Sequence, residues 1–135
     1  MSNISWKKTK ENVETVIEKY LYACLSVDNC STSEINKDFM LSKINIDDDF
    51  FVKRYMNISN EELSERIDFV NYFRMSFNKL TTSERKIIYW TYFDKEHCYD
   101  DRFIANELGY SLGYYYIQKK CTLIRFAFAL GVEEE

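Results

Sequence analysis

Proline is absent from this chain of 135 residues, and glycine occurs only three times. Sandwiches and barrels need those residues at their many turns, so the scarcity disfavours all-β architectures and predicts an all-α chain. Long apolar runs are missing as well. None approaches the roughly eighteen residues that cross a bilayer, and the N-terminus alternates charge with apolar residues instead of following a signal-peptide pattern. The expectation is a soluble, cytoplasmic protein. A glycine-rich phosphate loop and a nucleophile motif are also missing, and the single histidine, His97, has no evident partner. The chain is therefore not expected to be an enzyme.

The four cysteines, Cys24, Cys30, Cys98 and Cys121, never fall at the two-residue spacing of a zinc knuckle. A metal site would need His97 and Cys98 to converge with two distant cysteines, so reduced, mostly packed thiols are expected, with no metal and no cofactor. The triplet Asp47-Asp48-Asp49 reads as a solvated loop or helix start, because three adjacent side chains on a regular backbone cannot all face one ion.

What the chain does have is aromatic mass. Eleven Tyr and ten Phe stand in a sequence that is 46% hydrophobic, enough for a real core. A net charge of −4 argues against holding nucleic acid by bulk electrostatics. The charge is unevenly placed, however: Ser111 to Leu130 carries Lys119, Lys120 and Arg125 with no acid, while acids gather at Glu61-Glu62-Glu65 and in the Glu133-Glu134-Glu135 tail.

Apolar residues recur at helical spacing from Trp6 to Leu25 through Val13, Val16, Ile17, Tyr20, Leu21 and Cys24. Residues 29 to 59 give mixed signals and no assignment. Asn60 is positioned to cap a helix that ends near Leu80, with Leu63, Ile67, Val70, Phe73 and Phe77 inward. Thr81 and Glu84 have the spacing of a capping box, which opens a helix to about Phe93. Asp100 or Asp101 opens the next, with Phe103, Ile104 and Leu108 on its buried side. Gly109 suits a left-handed helix end and Ser111 caps a last helix from Leu112 to Leu130. Of that helix, Tyr115, Thr122, Leu123, Phe126 and Leu130 share one side, and Leu112, Gly113, Tyr116 and Lys120 another.

The segment from Leu80, "LTTSERKIIYWTYF", followed by "IANELGYS", resembles the promoter-reading region four of bacterial sigma factors, in which a helix opening with L-x-x-x-E-R-x-I-I precedes a helix-turn-helix. More narrowly, "LGYSLGYYYIQKKCTLIRFAFALG" is similar to the end of the ArpU family of phage transcriptional regulators, with the RinA group a near alternative. The resemblance covers about residues 78 to 132. It implies an N-terminal helical region over residues 1–77 and a sigma region-four-like helix-turn-helix domain over 78–135.

It further implies a DNA-binding recognition helix that places Leu112, Gly113, Tyr116, Ile117 and Lys120 toward base edges, with Arg102, Ser111, Tyr114 and Lys119 near phosphates. Relatives place polar or basic residues where this chain has Leu112, Gly113 and Ile117, and an apolar residue where it has Gln118. The function implied is a sequence-specific transcriptional regulator, an activator of phage or mobile-element late genes acting on double-stranded promoter DNA with the host RNA polymerase. The alternative is an interaction module that binds polymerase or another protein without tight DNA binding of its own.

Overall fold

A computed structural model of the chain describes residues 4–27, 35–44, 59–94 and 99–135. Cys30, the Asp47-Asp48-Asp49 triplet, His97 and Cys98 lie outside these residues. The described residues form helices and irregular segments, with no strand among them.

Helix α1 spans Trp6–Leu25 and buries Thr9, Val13, Ile17, Tyr20 and Cys24, while Val16 and Leu21, also on the apolar side by spacing, lie at its margins and are half-buried. Helix α2 spans Asn60–Asn78. Its cap is Ser59 and not Asn60: the Ser59 hydroxyl accepts from the Glu62 amide at 3.1 Å, and Asn60 is already helical. Serine and asparagine cap about equally well, so the neighbour that reaches the amide decides. The helix stops at Asn78, and Leu80 is buried in the turn that follows.

Helix α3, Thr82–Ile88, opens with the capping box in full: Thr81 Oγ1 accepts from the Glu84 amide, and Glu84 Oε1 accepts from the Thr81 amide at 2.9 Å. It does not continue as a regular α-helix to Phe93. Tyr89–Phe93 is one π-helical turn, closed by the Asp94 amide on the Tyr89 carbonyl at 3.0 Å. Helices α4, Asp101–Leu108, and α5, Leu112–Leu130, follow.

Two cores result. In the larger, Tyr20 of α1 stacks on Phe73 of α2 with ring centroids 4.0 Å apart, and Phe126 of α5 meets Phe73 edge-on at 5.3 Å. Leu80, Ile88, Phe93, Leu123 and Leu130 close around them. The smaller core joins Ile87 of α3, Ile104 and Ala105 of α4, and Tyr115 of α5. Both ends of α5 are thus seated, the first half on the smaller core and the second half on α1 and α2.

Residues 35–44 run along α2 and are held by side chains that imitate backbone pairing. Asn71 accepts from the Ile44 amide at 2.7 Å and donates to its carbonyl at 3.0 Å, and Asn78 does the same for Leu41 at 2.9 and 2.8 Å. Two buried arginines add to the clasp. Arg74 donates to the Tyr20 hydroxyl at 3.0 Å and to the Ser42 carbonyl at 2.7 Å, and Arg85 donates to the carbonyls of Leu80 and Asp38. A buried guanidinium is tolerable only with such acceptors around it.

Candidate nucleic-acid interface

Helices α4 and α5 meet at a turn built by local chemistry. Asp100, of the two candidate aspartates, caps α4: its Oδ1 accepts from the Phe103 amide at 2.8 Å. Gly109 ends α4 at φ 72°, a left-handed conformation that strains residues bearing a Cβ. The Tyr110 amide then reaches back to the Ala105 carbonyl at 2.9 Å and the Gly109 amide to Asn106 at 3.1 Å, the paired bonds of a Schellman motif. Ser111 caps α5 through the Tyr114 amide at 3.2 Å. Only one residue, Tyr110, separates the left-handed glycine from the next cap, so α5 leaves the turn in a fixed direction.

The three tyrosines then part company. Tyr115 is fully buried and donates its hydroxyl to Asp101 Oδ1 at 2.9 Å, while Tyr114 and Tyr116 stand about half exposed. Successive helical residues differ by about 100° in direction, which is why adjacent rings cannot share a face. Tyr114 meets Tyr110 edge-on at 4.9 Å. Gly113, Tyr116, Ile117 and Lys120 fall at three- and four-residue spacings on one exposed strip, with Ile117 61% exposed. Ser111 and, on α4, Arg102 are exposed as well. Leu112 is half-buried beside the smaller core.

Two sequence expectations are modified. Phe103 is exposed and stacked on Tyr99 at 4.3 Å, so Ile104 and Ala105 form the inner face of α4, with Leu108 only half-buried. Cys24 is packed as expected, but Cys121 is exposed. Arg125 is more than half exposed and pairs with Glu84, Nε to Oε2 at 2.8 Å.

Lys119, placed near phosphates by the resemblance, is turned inward. Its Nζ lies 3.0 Å from Asp101 Oδ1, the oxygen that also accepts from Tyr115. Burial alone would push the Asp101 carboxyl up. The hydrogen bonds from Lys119 and Tyr115, with the charges of Lys119 and Lys10, outweigh it and hold the group below the ordinary aspartate value. The same contacts act oppositely on Tyr115, whose hydroxyl is pushed up by burial and by donating to the carboxylate.

A depressed folded-state value means that the Asp101 contribution to stability is complete above the unfolded value, about pH 4, and is lost as pH falls through the lower folded value. Asp101→Asn should accordingly flatten the fall in melting temperature below about pH 4 relative to wild type. Equal acid slopes for the two proteins would contradict the ion pair.

One neighbour of this surface was not legible in the sequence. Trp6 of α1 lies under Lys120, whose Nζ is 5.3 Å from the ring centroid. Trp6 and Lys120 are far apart in the chain, and no local spacing relates them. No family model, no curated protein and no solved structure matches the chain.

Proposed function

We propose that this protein is a sequence-specific DNA-binding regulator that reads double-stranded promoter or operator DNA with the first half of α5, and that it activates phage or mobile-element late genes beside the host RNA polymerase. The supporting observation is the strip Gly113, Tyr116, Ile117 and Lys120, exposed on a helix whose other side is anchored by Tyr115 and whose start is fixed by Gly109 and Ser111. A helix of this kind fits the major groove, where the tyrosine hydroxyl and the lysine can bond base edges and the Ile117 side chain can meet a thymine methyl. Arg102, exposed on the preceding helix, is available to a phosphate. The polymerase and the phage setting rest on the resemblance to the ArpU family and to sigma region four.

Tyr116→Ala should lower the preference for the cognate site by about 1 to 3 kcal/mol and leave binding to unrelated duplexes nearly intact, since a base-edge contact counts only where the sequence is right. Arg102→Ala should weaken all duplexes alike and reduce the salt slope by about one ion. Competition titrations at several salt concentrations separate the two patterns.

A second reading has its own observation. Tyr114, Tyr116 and Ile117 expose a largely apolar surface on a chain of net negative charge, as a protein-docking face would. On that reading the helix binds polymerase or another protein. A footprint over the element's late promoter, with and without polymerase, decides: protection by the protein alone supports groove reading, and protection only with polymerase supports the interaction module.

A further inference from the structure

The DNA-binding reading assigns the interface to α4 and α5, but the fold brings a third element to its edge. We propose that Lys7 and Lys10, on one flank of α1, form a second phosphate-binding site that clamps the DNA backbone beside the duplex read by α5. The inference rests on that reading and extends it to a helix outside the helix-turn-helix.

Four observations carry it. First, the N-terminal end of α1 is adjacent to the recognition helix: Trp6 underlies Lys120 at 5.3 Å, and Lys10 is near enough to Asp101 for its charge to help hold that carboxyl down, together with Lys119. Second, that end is firmly placed. The Ser5 amide donates to the Glu134 carbonyl at 2.8 Å, and Thr9 is buried, its hydroxyl accepting from the Glu134 amide at 3.1 Å.

Third, Lys7, Lys10 and Glu14 lie at three- and four-residue steps along a single flank, whereas Lys8 and Asn12 lie on the other. Asn12 donates to the Val132 carbonyl at 3.0 Å, which marks the second flank as the one beside the acidic tail. Fourth, two of the acids on that side are engaged, which leaves the exposed Glu11, one turn beyond Lys7, as the acid that offsets part of their charge. Glu14 accepts from the Tyr92 hydroxyl at 3.0 Å, and Asp101 is held by Lys119 and Tyr115. No acidic residue stands in the first turn of α1.

The consequence is a margin on which Lys7, Lys10 and Lys120 outnumber the exposed acid beside them, Glu11, in a chain whose net charge is −4. Such a chain gains little from bulk attraction to DNA, and concentrating lysines along one edge of the reading helix supplies the local potential that the total charge denies it.

The test uses the full chain and a pool of random-sequence duplexes, because phosphate contacts need no cognate site. Affinity is measured across salt concentrations for wild type, for Lys7→Gln/Lys10→Gln, and for Lys8→Gln as the control on the other flank. Unchanged melting temperatures establish that all three are folded. The expected result is a loss of roughly tenfold in affinity at low salt for the double variant, with the slope of log K against log salt reduced by about two, and no change for Lys8→Gln.

If the double variant keeps the wild-type slope while Arg102→Ala lowers it, the α1 site is wrong and the helix-turn-helix reading stands. If Lys8→Gln loses as much as the double variant, the loss is general charge and the site is again wrong. If wild type shows no binding to duplex DNA at low salt, the DNA reading fails and the α1 site with it.

Discussion

Phe73→Ala should lower the unfolding free energy by about 3 to 5 kcal/mol, the range for removing a buried aromatic ring without full collapse of the space it leaves. Phe73 is fully buried at the point where α1, α2 and α5 meet. It stacks on Tyr20 at 4.0 Å, meets Phe126 edge-on at 5.3 Å and lies 6.1 Å from Phe93. Each of those partners belongs to a different segment, so no single side-chain shift can refill the cavity. Because domains of this size are stable by only about 5 to 15 kcal/mol, the variant should be partly unfolded at moderate temperature. Urea titration followed by tryptophan fluorescence and by circular dichroism measures the change. A loss under about 1 kcal/mol would mean that the three helices do not share this core.

Ile104→Asp should be comparably damaging but more local. Ile104 is fully buried in the smaller core with Ile87, Ala105 and Tyr115, where a carboxylate would have no cationic partner in reach among the core residues. An unpaired charge at such a site costs several kcal/mol. The α4–α5 turn should loosen and any DNA binding should disappear with it. Leu108→Asp gives the internal comparison, because Leu108 is only half-buried and an aspartate there can turn toward water. Its cost should be clearly smaller, and equal costs for the two variants would show that the inner face of α4 is misplaced.

The elements that the sequence revealed were those whose signals are local. The bounds of α1, the Thr81–Glu84 capping box, the Gly109 helix end and the Ser111 cap depend on hydrogen bonds to backbone groups within a few residues. A spacing along the chain therefore translates directly into geometry. The same holds for the burial of Tyr115 and the exposure of Tyr116, which follow from helical phase alone.

What the sequence concealed depends on pairs distant along the chain. Nothing near Arg74 announces that it will be buried, because its acceptors are Tyr20 and Ser42. Nothing near Lys119 shows that it will turn to Asp101, or that Trp6 will underlie Lys120. Phe103 is a different case: as an aromatic at helical spacing it reads as core, yet Tyr99 covers one face of the ring and leaves the side chain at the surface.

The π-helical turn at Tyr89–Phe93 also has a meaning for comparing sequences. In an α-helix, residues five apart differ by about 140° in direction and would not share a face. Widening the turn swings Phe93 round toward the side of Ile88, so both enter the larger core while Ile87 enters the smaller one. A homologue with an ordinary α-helix here would keep the same packing with one residue fewer between Ile88 and Phe93. In an alignment the pair would show a single-residue gap inside a continuous helix, marking a conserved shape and not a broken one.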